Sequence, residues 1–190
     1  MAGVEWPLMP ADRRRVGWRL WLWWVLASSV GWILGLAGGF AAGFAIGGAV
    51  SGIASQGAFG AVLGASIGML QWVVLRRQIS RAGWWILATT LGMGGGFALI
   101  SSVTLPVSAT FGGGPLYGLV NGGLVGILVG AMQWLVLRQQ SSRAGWWVLA
   151  SVLGTGVGFA LDQVVGQLVG TAVTGTALVW LSRQLAQGKG

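Results

Sequence analysis

Apolar residues run through this chain in six long blocks, separated by short connections that alternate between two kinds. One kind is rich in arginine and glutamine; the other has no Lys or Arg. Three blocks, near 17–47, 83–105 and 145–161, open on a Trp-Trp pair, and the other three, near 57–77, 116–138 and 164–182, close on an Arg-Gln cluster. A helix of about 20 residues crosses a hydrocarbon core of about 30 Å. The expected fold is therefore all-α: a polytopic membrane protein with about six transmembrane helices. The first block is long enough to tilt or to project beyond the bilayer. The fifth is short and ends at Asp162.

The blocks are copies of one hairpin. Gln71-Trp72-Val73-Val74-Leu75-Arg76-Arg77-Gln78 returns as Gln133-Trp134-Leu135-Val136-Leu137-Arg138-Gln139-Gln140, and Ala82-Gly83-Trp84-Trp85 returns as Ala144-Gly145-Trp146-Trp147. A weaker copy opens the chain at Trp23-Trp24-Val25-Leu26, and another closes it at Val179-Trp180-Leu181-Ser182-Arg183-Gln184. A fixed spacing of this kind marks a repeat architecture. The division expected is a cytoplasmic segment 1–16, one transmembrane domain 17–184 with repeats at about 17–81, 82–143 and 144–184, and a tail 185–190. Two spans per unit make the repeats parallel, related by an axis along the membrane normal. Mitochondrial carriers also use three two-helix repeats, but their proline–acid–base signature is absent here.

Composition agrees with lipid as the solvent: the chain is 55% hydrophobic and 7% charged, against roughly 25% charged in globular proteins. The net charge of +8 would suit nucleic acid, but the basic residues are too thinly spread for a continuous track. They fall before the first block, in alternate connections and after the last block, a positive-inside pattern that places both termini in the cytoplasm. Anionic lipid headgroups are the expected partners. The membrane expected is the bacterial cytoplasmic one or an internal photosynthetic one.

Glycine recurs every fourth residue at Gly31, Gly35, Gly39 and Gly43, at Gly60, Gly64 and Gly68, and at Gly118, Gly122, Gly126 and Gly130. Such a stripe lets helix backbones approach closely in lipid. Two uses follow: a tight bundle interior, or outward ladders that dock another membrane subunit or a second copy of the chain.

Tryptophan and arginine gather at one end of every repeat. Trp72, Trp84, Trp85, Trp134, Trp146 and Trp147 with Arg76, Arg77, Arg138 and Arg183 read as an aromatic–cationic face at headgroup level. The same surface would suit a partner subunit, a bound lipid or a flat carotenoid. The chain has no His and no Cys, which removes ordinary haem, iron–sulfur, copper and zinc sites. Gly64-Ala65-Ser66-Ile67-Gly68 matches a nucleophile pattern by letter, but no histidine exists to serve as its base. Asp162 is the one carboxylate beyond the N-terminal region and a candidate functional group if it lies in the membrane. Gln71, Gln133, Gln163, Gln167 and Asn121 are expected to bond between helices.

The paired motifs W-x-V-L-R-x-Q and A-G-W-W-x-L-A resemble those of Trp- and Gly-rich bacterial multi-pass membrane proteins over nearly the whole chain, and the resemblance implies no particular activity. The functional expectation is a non-catalytic structural or accessory subunit of a membrane complex. The alternative is a small channel or carrier for an ion or small solute along the pseudo-threefold axis.

Overall fold

The computed structural model describes residues 10–47, 52–79, 81–141, 143–161 and 163–187. They form six helices: α1 Pro10–Gly47, α2 Ile53–Leu75, α3 Gly83–Phe111, α4 Pro115–Leu137, α5 Gly145–Ala160 and α6 Gln163–Gln187. Five are long and apolar enough to cross a membrane by length and composition, and α5 is a shorter apolar helix. Their outer surfaces carry exposed Ile33, Leu34, Leu91, Leu116 and Val164. Long apolar helices with apolar exteriors make this a multi-pass integral membrane protein.

The ends of the helices follow from local chemistry. At the basic connections, α2 and α4 stop at Arg76 and Arg138, whose N–H groups still bond to Trp72 and Trp134 carbonyls at 2.8 and 2.7 Å. The chain then turns within a few residues, with Arg81 at a φ of 61°. α3 runs past its expected end near 105, with Pro106 inside it. Proline removes one i→i−4 donor, yet the helix continues until Gly112, whose φ of 68° and N–H bond to the Ser108 carbonyl make a left-handed stop. α1 begins seven residues before its expected start, with Pro10 in the first turn where its missing N–H costs nothing.

Each helix packs on the next in chain order, and α6 returns to α1 to close a ring. Among the described residues, backbones approach closely between neighbouring helices and not across the ring; large aromatic side chains span it, as at Trp24–Trp85 and Phe97–Phe159. The contacts of α6 with α5 and with α1 are the sparsest.

Glycine makes these neighbour contacts. A Cβ at Gly31 or Gly35 would lie 2.7 and 2.9 Å from the Cα of Ile67 and Leu63 in α2. Gly60 and Gly64 meet the Met93 and Thr89 carbonyls of α3, Gly92 and Gly96 meet Val129 and Val125 of α4, and Gly118, Gly122 and Gly126 meet Phe159, Thr155 and Ser151 of α5. Gly154 and Gly158 meet Gly170 and Gly166 of α6, glycine against glycine. Gly39 lies on Phe59, Gly68 and Gly130 lie against Ile86 and Val148, and Gly43 is buried. These stripes lie inside the ring, so they are not free to dock a second protein.

Candidate functional site: an axial cavity above a tryptophan floor

Two adjacent tryptophans on a helix are about 100° apart, so one of each Trp-Trp pair turns inward when the other faces lipid. Trp23, Trp84 and Trp146 are exposed at 59–60%, whereas Trp24, Trp85 and Trp147 are 0–1% exposed. Trp85 and Trp147, expected among lipid headgroups, are therefore core residues. The three buried indoles meet on the ring axis, with centroids 6.0 Å (Trp24–Trp85), 5.7 Å (Trp24–Trp147) and 5.5 Å (Trp85–Trp147) apart, all edge-on. Such T-shaped contacts are favoured by the ring quadrupoles. Leu75, Leu137 and Leu178, one from each of α2, α4 and α6, pack into the same cluster. Together these side chains plug the ring at its basic end.

Every indole N–H in the plug has a partner. Trp85 Nε1 donates to Gln71 Oε1 at 2.8 Å, and Gln71 Nε2 donates onward to Ser28 Oγ at 3.0 Å. The arrangement recurs 62 residues along: Trp147 Nε1 donates to Gln133 Oε1 at 2.8 Å, and Gln133 Nε2 donates to Thr89 Oγ1 at 3.0 Å. Each carboxamide thus ties together three helices through one buried group satisfied at both ends. The third corner differs. Thr174 of α6 stands four residues before Leu178, as Gln71 and Gln133 stand before Leu75 and Leu137. Its Oγ1 accepts from Trp24 Nε1 at 3.1 Å, but its own proton goes to the carbonyls of Gly170 and Thr171 within α6. The residue matching Trp72 is Gly175, on which Trp21 and Trp24 close, so Trp180 lies five residues beyond the place that its letter match suggests.

Above the plug lies a cavity of about 320 Å³. On α1 its wall is Trp24, Ser28, Trp32, Leu36 and Phe40, every fourth residue over a rise of about 24 Å. On the α2 and α3 side it is lined by Leu63, Ile67 and Met93. Phe40, Phe59, Phe97 and Phe159 follow one another around the far end, with successive centroids 5.0, 5.1 and 6.1 Å apart. The α5–α6 side is different in kind: Ser151, Thr155, Gln167 and Thr171 stand among Gly154, Gly158, Gly166 and Gly170. Among the described residues no Asp, Glu, Lys or Arg lines the cavity. Ser28, Gln71, Thr89 and Gln133 make the plug end polar; beyond them the α1–α3 side is apolar, while the α5–α6 side offers hydroxyls and an amide, and the described lining residues carry no charge.

At the basic end, arginine and tryptophan pair within two of the repeats. Arg76 lies over the Trp72 ring at 5.5 Å and Arg138 over Trp134 at 5.1 Å. Both tryptophans are partly buried against the plug, while Arg77 and Arg183 are exposed. The Arg143 guanidinium donates to Gln184 Oε1 at 3.1 Å, joining the α4–α5 connection to α6. Among the described residues Asn121 does not bond between helices: Nδ2 donates to the Tyr117 carbonyl one turn back, and Oδ1 is buried without a partner there. Asp162 and the side chain of Gln163 lie outside the described residues.

The axial hydroxyls escape a reading of motifs because serine and threonine are common in membrane helices. A usable signal exists: each inward Trp is followed four residues later by Ser28, Thr89 or Ser151. Compared with protein-family models, with curated proteins and with solved structures, the chain matches none of them.

Proposed function

We propose that this chain is a non-catalytic, six-span membrane bundle of three parallel hairpins, with both termini cytoplasmic, that holds a small uncharged molecule in its axial cavity and acts as a carrier for it. The observation that supports this reading is the cavity: its described lining residues carry no charge, and it is apolar toward the phenylalanines on the α1–α3 side and hydrogen-bonding on the α5–α6 side. Its volume of about 320 Å³ falls at the lower end of the range of about 300–1,000 Å³ typical of small-molecule sites. At about 30 Å³ per water-sized unit it takes on the order of ten non-hydrogen atoms. An ion is poorly served by the described lining residues, none of which carries charge. The plug keeps the cavity shut toward the basic end, as alternating access requires of one resting state.

The test is chemical and functional together. Protein purified from native membranes is extracted and its small molecules are quantified, and proteoliposomes are assayed for uptake of neutral solutes. A neutral molecule near one per chain, lost in Leu36→Trp, which fills the middle of the cavity, is the expected result. No such molecule together with no uptake would overturn the reading.

A second reading, accessory subunit of a larger complex, draws on one observation. Trp18, Trp23, Trp84 and Trp146, each 59–61% exposed, form an outward girdle at the basic end. Lipid headgroups satisfy the same residues, so co-purification of a stoichiometric membrane partner distinguishes the two.

A further inference from the structure

The polar corners of the plug are unequal, and the inequality points to a ligand. At two corners a carboxamide on an even-numbered helix bridges an indole and a hydroxyl on two odd-numbered helices. Ser28 and Thr89 are the hydroxyls served, four residues past Trp24 and Trp85. Ser151 holds the same place past Trp147 and is 3% exposed. Its proton goes to the Trp147 carbonyl at 2.9 Å, and among the described residues no side chain donates to its oxygen. The group that would do so is at position 174, where α6 carries threonine, whose hydroxyl accepts from Trp24 and turns back into its own helix.

Further along the same wall, the Gln167 side-chain amide faces the cavity and has no hydrogen-bond partner among the described residues. In a membrane interior, polar groups without partners are costly. The α5–α6 wall therefore offers an acceptor at Ser151 and a donor and acceptor at Gln167, opposite the apolar stretch Trp32, Leu36 and Phe40.

Resting on the proposed ligand-binding cavity, we infer that its occupant is a neutral single-chain amphiphile. Its head both donates and accepts a hydrogen bond, as in a long-chain alcohol, and the head sits at the Ser151 corner. The head donates to Ser151 Oγ in place of the missing third carboxamide, and the chain lies along Trp32, Leu36 and Met93 toward the phenylalanines. Shape and chemistry both require this. A compact polar solute would leave the long apolar wall wet, and a plain alkane would leave Ser151 and Gln167 unpaired.

Thr174→Gln is the decisive variant, because it supplies from the protein the group that the ligand head supplies. Saturable quenching of tryptophan fluorescence by 11-bromoundecan-1-ol and by 1-bromoundecane is measured on the full chain in nanodiscs. In the natural chain the alcohol should saturate at about tenfold lower concentration than the bromoalkane, the worth of one buried hydrogen bond. Thr174→Gln should erase that preference while the resistance to unfolding in SDS is kept or raised. Ser151→Ala should weaken the alcohol by about tenfold and leave the bromoalkane unchanged. Equal binding of the two probes by the natural chain, or an alcohol preference unmoved in both variants, overturns the head-group assignment and leaves the cavity reading standing. Absence of saturable quenching by either probe in the natural chain overturns both.

Discussion

Consider Gln71→Leu, which keeps side-chain bulk and removes both hydrogen bonds of one plug corner. Gln71 is 6% exposed, so water does not replace what is lost. The Ser28 hydroxyl can turn to a carbonyl of its own helix, but the Trp85 indole N–H, 2.8 Å from Gln71 Oε1, is left with no acceptor. An orphaned buried donor costs about 1–3 kcal/mol, whereas side-chain bonds between membrane helices average about 0.6 and reach about 1.7 kcal/mol. Two bonds at the membrane value come to about 1–3 kcal/mol, so both routes agree on a loss of about 2 kcal/mol. The double-mutant cycle with Trp85→Phe isolates the indole bond, since phenylalanine has no N–H to orphan. Unfolding in SDS mixed micelles, followed by the emission of the buried tryptophans, should give a coupling of about 1 kcal/mol. Gln133→Leu with Trp147→Phe should give the same value within about 0.5 kcal/mol. Additive mutations, with coupling below about 0.3 kcal/mol, would refute the claim that the carboxamides hold the plug.

Glycine substitutions should sort by what a methyl group would meet. Gly122→Ala drives Cβ into the Thr155 carbonyl and should cost about 1–3 kcal/mol, while Gly123→Ala, facing open space, should be neutral or stabilising by up to about 1 kcal/mol on the same SDS unfolding assay. Because the chain has no natural cysteine, single cysteines report sidedness directly: Gln78→Cys should react with impermeant maleimide from the cytoplasmic side and Gly113→Cys from the opposite side. Brominated lipids should quench single-Trp variants retaining Trp23, Trp84 or Trp146 and spare those retaining Trp24, Trp85 or Trp147. Equal quenching of the two sets would show that the triad is not sealed inside the ring.

Much of the architecture was written in residue order. The all-α, multi-pass character follows from the length and hydropathy of the apolar blocks, which depend only on local spacing. Rotation about each helix axis is not local. Trp84 and Trp85 look alike in sequence, and which of them faces lipid is decided by where α2 and α4 present Gln71 and Gln133. The Thr174 corner was hidden for the same reason: letter matching aligned Trp180 with Trp72, although the buried leucine positions align Gly175 with it. Nor could spacing alone show that the stripes would be used up between neighbours, since that depends on the ring closing. The short α5 stood out by length, but the polarity of the wall that it forms with α6 emerged only when the two helices were side by side.

Neighbour-only packing also has a temporal meaning. A chain emerging N-terminus first into a bilayer can seat each helix against the one before it, because every glycine stripe from α1 to α5 meets the next helix to arrive. The inward indoles already reach across the growing crescent, Trp24 to Trp85 and Trp147, but its backbone contacts need no distant partner until α6, whose Thr174 must find Trp24, 150 residues earlier. Ring closure is thus the last event in biogenesis, made through the sparsest seam, and the plug is incomplete until it happens. A ribosome stalled after α5 would leave an open trough whose two tied corners are already formed and whose third still faces lipid.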